Sequence, residues 1–80
     1  MTCHRLKTES KYFNDVLYNR KSFEVRKNDR DYQVGDRLTL LEIRDNGDYT
    51  GVSLERKIIY VLLGGQFGIE KDYCVLGLSK

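Results

Sequence analysis

The stretch LERKIIYVLL, residues 54–63, restricts the fold more than any other part of the sequence. From Ile58 to Leu63 every position is apolar, so a strand built there presents hydrocarbon to both faces and needs cover on both. That pattern suits a central or barrel strand. The run is too short to cross a membrane, which takes about 18 to 20 apolar residues, and nothing longer exists in the chain. The opening MTCHRLKT lacks the apolar stretch of a secretory signal. A cytoplasmic protein with no membrane partner is expected.

The rest of the sequence supplies short elements around that strand. If HRLKT is extended, His4 and Leu6 share one face, and Arg5 and Lys7 share the other with Cys3. Thr8 can cap a helix from Glu9 to about Tyr18, where Tyr12, Phe13, Val16 and Leu17 fall on one stripe. Asn19 tolerates the left-handed conformation that ends a helix. Ser22 to Lys27 alternates, with Phe23 and Val25 on one side and Ser22, Glu24 and Arg26 on the other, and predicts a strand with a polar side. After a turn-rich segment around Gly35, a strand spans 37–44. The Asn46 and Gly47 pair then folds the next strand back antiparallel. GGQFG is a corner before a last strand at 73–79.

These elements amount to about five strands and one early helix in a single domain, residues 1–80, since so short a chain buries only about 60% of its unfolded surface and supports one core. A lone sheet with an apolar central strand can cover itself by curling. The expected class is α+β, a small β-barrel closed by the helix.

Cys3 and Cys74 lie near opposite ends, without the close spacing of zinc or redox sites, so no metal is expected. A disulfide would need the first and last strands to pair, and two buried thiols are the expectation instead. Gly64, Gly65 and Gly68 lack the Lys and Ser/Thr that complete a phosphate loop, and no cofactor is expected.

The net charge of +2 is too small to indicate a nucleic-acid partner, but its distribution is uneven. Residues 1–31 hold eight Lys or Arg against five Asp or Glu, and residues 32–80 hold six against seven. The excess centres on NRKSFEVRKNDR, residues 19–30. There, Lys21, Glu24 and Arg26 form either a polar pocket, with the carboxylate fixing two donors, or a surface ion pair worth about 0 to 1 kcal/mol. His4 and Lys7 are further candidates. His4, the sole histidine, is either a general base or a satisfied core residue. Phe67 in the glycine corner offers a ring on which a base can stack, as do Tyr12, Tyr32 and Tyr73, although tyrosines at such places are ordinary core material.

NRKSFEVR resembles the G-x-K-x-x-E-x-R signature of ASCH domains, small members of the PUA-like superfamily, with Asn19 at the glycine position and Lys21, Glu24 and Arg26 matching. HRLK, RKSFEVRKNDRDYQVGDRL, YTG, YVLLGGQFGIEKDY and VLGL follow in the order seen in bacterial and phage ASCH-like proteins of unknown function, often described as RNA-binding. The likeness covers nearly the whole chain. It implies a PUA-like β-barrel with a cleft lined by Lys21, Glu24 and Arg26 for RNA or a nucleotide. Some ASCH relatives hydrolyse acetylated cytidine with the Lys, a Thr three residues on and a distant Glu. Here Glu24 stands at the Thr position, and Glu55 or Glu70 would have to be the distant carboxylate.

An RNA- or nucleotide-binding module is therefore expected. Lys21, Arg26, Lys27 and Arg30 would contact phosphate, Glu24 would orient the pocket, and Lys7, His4 and Phe67 would assist. The rival is an enzyme, either a hydrolase of a modified nucleoside or a ribonuclease, with Lys21, Glu24 and His4 as the proton-transfer set. A third reading is a protein-interaction domain using a sheet edge or Phe67.

Overall fold

The computed structural model describes residues 1–80 and orders them as β1 (Cys3–Glu9), α1 (Ser10–Leu17), β2 (Phe23–Lys27), β3 (Arg37–Ile43), β4 (Tyr49–Leu63) and β5 (Tyr73–Leu78). The strands form one mixed sheet in the order β1-β3-β4-β5-β2. Only β1 and β3 run parallel. Strand β4 is its spine. Its first half pairs antiparallel with β3, its second half pairs with β5, and a register shift between Ile58 and Tyr60 marks the changeover.

Local chemistry accounts for the turns. Gly47 takes φ 89° and donates its N–H to the carbonyl of Arg44, which reverses the chain between β3 and β4 as the Asn-Gly pair predicts. Helix α1 ends on Asn19 at φ 61°, with the Asn19 N–H bonded to the Val16 carbonyl and the Arg20 N–H to the Asp15 carbonyl. This is a Schellman ending, with asparagine in the left-handed place. At the other end Glu9 is the N-cap without a side-chain bond, and the Thr8 hydroxyl points elsewhere. At the glycine corner a Cβ on Gly64 would collide with the carbonyl oxygens of Glu70 and Tyr73, so that position admits no side chain.

Phe13 and Val16 of α1 pack against β1 and β3, and join Leu38, Leu40, Ile58 and Leu76 in the core. Every buried side-chain nitrogen and oxygen has a hydrogen-bond partner.

Several expectations are corrected. The sheet does not close into a barrel: β1 and β2 remain its two edges and share no ladder. Side chains span the gap instead, with the Arg26 Nη1 donating to the Lys7 carbonyl and the Arg30 Nη1 to the Arg5 carbonyl, at 3.1 and 3.0 Å. Those guanidinium groups occupy the acceptors that a closing strand would use. Second, β4 is not covered on both faces. Ile58 is fully buried, but Ile59, Tyr60 and Leu63 are more than half exposed, because one short helix on β1 and β3 leaves the outer face around β5 open. On β2 the alternation holds as read, and the polar side is the one that turns inward. Glu24 faces the interior, while Phe23 and Val25 look outward at 44% and 51% exposure. The thiols divide as well: Cys74 is buried, whereas Cys3 is exposed beside the Thr39 hydroxyl.

Candidate functional site

The polar side of β2 faces inward and puts a carboxylate where a strand normally puts hydrocarbon. Glu24 is 3% exposed, and both its oxygens are occupied: Lys21 Nζ donates to Oε1 at 3.0 Å and Arg26 Nε to Oε2 at 3.1 Å. Two cations on one buried carboxylate satisfy its charge and lone pairs together, which is what makes such burial tolerable. The odd spacing of Lys21 is resolved by the helix ending. The Lys21 N–H bonds to the Asp15 carbonyl, so the backbone turns at Lys21 and brings its ammonium back over β2. Tyr12 and Phe23 flank that ammonium, with ring centroids 5.2 and 5.4 Å from Nζ.

Arg26 is held on three sides. Besides Glu24 and the Lys7 carbonyl, its Nη2 donates to the Thr8 hydroxyl at 3.0 Å. Thr8 in turn donates to the Leu6 carbonyl. Around these groups lies a cleft of about 500 Å³, bordered by Lys7, Thr8, Glu9, Tyr12, Lys21, Glu24 and Arg26. Its volume is within the range of small-ligand sites, about 300 to 1,000 Å³. Lys21 and Arg26 keep 18% and 23% of their side chains exposed, so both present donors to the cleft while remaining anchored.

The structure brings together Lys21, Glu24, Arg26 and Lys7, and sets Arg30 along the same seam. Lys27 points to the outer face with Phe23 and Val25. Phe67 is 82% exposed on the glycine corner and does not border the cleft. Glu55 pairs with Arg37 at 2.7 Å, away from the cleft. Glu70 lies beside Val25 and Tyr73 on the outer face.

His4 is placed apart from the cleft. It is 6% exposed, its ring meets Tyr32 edge-on at 4.7 Å, and its Nε2 lies 2.9 Å from Oδ2 of Asp36. Asp36 also accepts the backbone N–H groups of Thr2 and Gln33, both at 3.1 Å. The His4 hydrogen bond, followed by that of Thr2, holds the Asp36 carboxyl below its ordinary value against the opposing effect of burial. An ionised Asp36 only accepts, so the His4 Nε2 carries the proton between them. Burial pushes the Tyr32 phenol up from its ordinary value, and the Cys74 thiol likewise. The His4–Asp36 pair ties the start of β1 to the start of β3.

Sequence reasoning missed Thr8 as the third anchor of Arg26, and Glu9 as a wall of the cleft. Strand alternation could have found the first, since Thr8 shares the buried face of His4 and Leu6.

Residues 3–78 match a family described as a domain of unknown function, DUF3850. Over 55 residues, or 69% of its length, the chain is 44% identical to an uncharacterized 12.9 kDa protein of Escherichia phage P2 from the GpA 3′ region. It spans about 50% of that relative's own length.

Proposed function

The chain belongs to the DUF3850 family, and from that footing we propose that the cleft at the seam binds RNA or a nucleotide, with Lys21 and Arg26 as donors to phosphate or base edges and Glu24 fixing both. One observation carries this reading: a carboxylate 3% exposed grips two cations at the floor of an open cleft. An ordinary surface ion pair needs neither the burial nor the cleft. An ammonium has three donors and Lys21 uses one on Glu24, which leaves two to point at a ligand. Tyr12, at 43% exposure on the cleft wall, offers a ring for base stacking. The ASCH-like reading of NRKSFEVR, and the PUA-like ancestry it implies, agree with a ligand of this kind.

Fluorescence anisotropy with short single-stranded and hairpin RNAs at two salt concentrations tests the proposal. Lys21→Ala should weaken binding about tenfold and lower the salt slope by about 0.7, the value for one lost phosphate contact on a single strand. Micromolar or tighter binding that ignores the substitution removes the cleft from the account.

Hydrolysis of a modified nucleoside is the second reading, favoured by the Thr8 hydroxyl and the Glu9 carboxylate in the same cleft as Lys21. The hydroxyl is already engaged, donating to the Leu6 carbonyl and accepting from Arg26, which suits an anchor better than a nucleophile. Chromatography of acetylated cytidine after incubation separates the two readings, since a binding module returns it unchanged.

A further inference from the structure

The Lys21 cleft does not end at Arg26. Beyond that guanidinium lies a larger hollow of about 730 Å³ on the outer face of β1, β3 and β4, where Arg5, Lys7, Arg26 and Arg30 surround a floor of Leu41 and Val52. Lys7 and Arg26 border both hollows, which makes them one continuous path along the seam.

The two halves differ in charge. Glu9 and Glu24 line the first, whereas no Asp or Glu lines the second. Arg5 and Lys7 make no ion pair, and the only one made by Arg30 is a loose contact of 4.0 Å to the exposed Asp29. Arg26 shares the charge of Glu24 with Lys21, so Arg5 and Lys7 without a partner and Arg30 with only that loose one, in a chain of net charge only +2, concentrate positive charge here. Beside them stands Tyr49, 54% exposed, with Lys7 Nζ 5.7 Å from its ring centroid. An accessible ring between cations and an apolar floor is the arrangement on which an unpaired base stacks.

We infer that the ligand of the seam is a single-stranded RNA polymer and not a mononucleotide. One nucleotide sits against Lys21, Glu24 and Arg26, the linking phosphate passes Lys7 and Arg26, and the next base stacks on Tyr49 with its phosphate on Arg5 and Arg30. This rests on the nucleotide-binding reading of the first hollow. A paired strand would hide the base face that Tyr49 needs, so duplex is excluded from the path.

The test compares the four ribonucleoside monophosphates with a labelled, random-sequence octaribonucleotide pool. It uses the full chain, Lys21→Ala, and a double variant carrying Arg5→Ala and Tyr49→Ala. The pool should bind about tenfold or more tightly than the best mononucleotide. The double variant should lose about tenfold on the pool, as expected for a lost stack and a lost phosphate contact, and keep its mononucleotide affinity within about twofold. Should the double variant melt early, Tyr49→Leu alone keeps an apolar side chain and carries the same comparison.

Equal affinity for pool and mononucleotides overturns the inference, and so does a pool affinity indifferent to Arg5 and Tyr49. In either case a mononucleotide affinity weakened by Lys21→Ala leaves the first hollow standing. Pool binding that ignores Lys21→Ala overturns both, as does the absence of binding by any of these ligands.

Discussion

Glu24 and Asp36 are both hidden from solvent, at 3% and 5% exposure, yet their partners divide them into different kinds of site. Asp36 accepts from two backbone N–H groups and a buried imidazole, and Tyr32 closes over the pair. None of those donors has anywhere else to go. Glu24 accepts from two long side chains that still reach the cleft. A carboxylate held by backbone fixes the chain, whereas one held by flexible cations fixes donors that face outward. The comparison separates an acid held by backbone donors from one held by donors that still face a cleft without appeal to burial, which is nearly the same for both.

Four measurements would break or sharpen that contrast. The largest effect is expected from Asp36→Ala, which strands two backbone donors and His4. Urea unfolding should show a loss of about 3 kcal/mol, with the nucleotide affinity of the remaining folded protein unchanged. Glu24→Ala frees two cations that water can partly reach, so its stability loss should be smaller, about 1 to 2 kcal/mol. Its binding should change in character, with a steeper salt dependence and less discrimination among nucleotides, because the donors remain but lose their orientation. If Asp36→Ala proves milder than Glu24→Ala, the division fails.

Third in size is the acid response. Asp36 is held below its ordinary value in the fold, so the stability it contributes is fully present above the unfolded carboxyl pKa, about 3.9, and is lost as pH falls through the lower folded value. Unfolding midpoints should therefore drop in acid, starting near pH 4, and the drop should be shallower in Asp36→Asn. The smallest effect belongs to Thr8→Val, which removes one of three anchors of Arg26. It should cost about 1 kcal/mol and weaken nucleotide binding by less than Lys21→Ala does.

Much of the fold was legible because it follows local rules. The Asn46-Gly47 reversal, the left-handed Asn19 and the inward alternation of His4 and Leu6 each depend on neighbours in sequence. Strand β2 shows where such rules stop, since alternation separates its two sides but does not say which of them turns inward. Its alternation puts Phe23 and Val25 together, and hydrophobicity alone would bury them. The Lys21, Arg26 and Glu24 contacts, arranged by the helix ending before β2, select the other face. Barrel closure was misjudged for a related reason: apolarity along β4 reports a need for cover, not whether one helix can meet it. The meeting of Lys21, Glu24 and Arg26 was readable from their pattern. The partnership of His4 with Asp36 was not, since 32 positions separate them.

The arginines that lace the seam also bear on how the protein behaves in concentrated solution. An unpaired strand edge is a template on which another chain can add a strand, and natural edges are commonly guarded by charge. Here the carbonyls of Arg5 and Lys7 are already taken by the guanidinium groups of Arg30, just past β2, and Arg26 on it, so the edge of β1 is shielded from within the same molecule. Removing either arginine uncovers a backbone acceptor and discards a repelling charge in one step, and self-association would then grow with protein concentration.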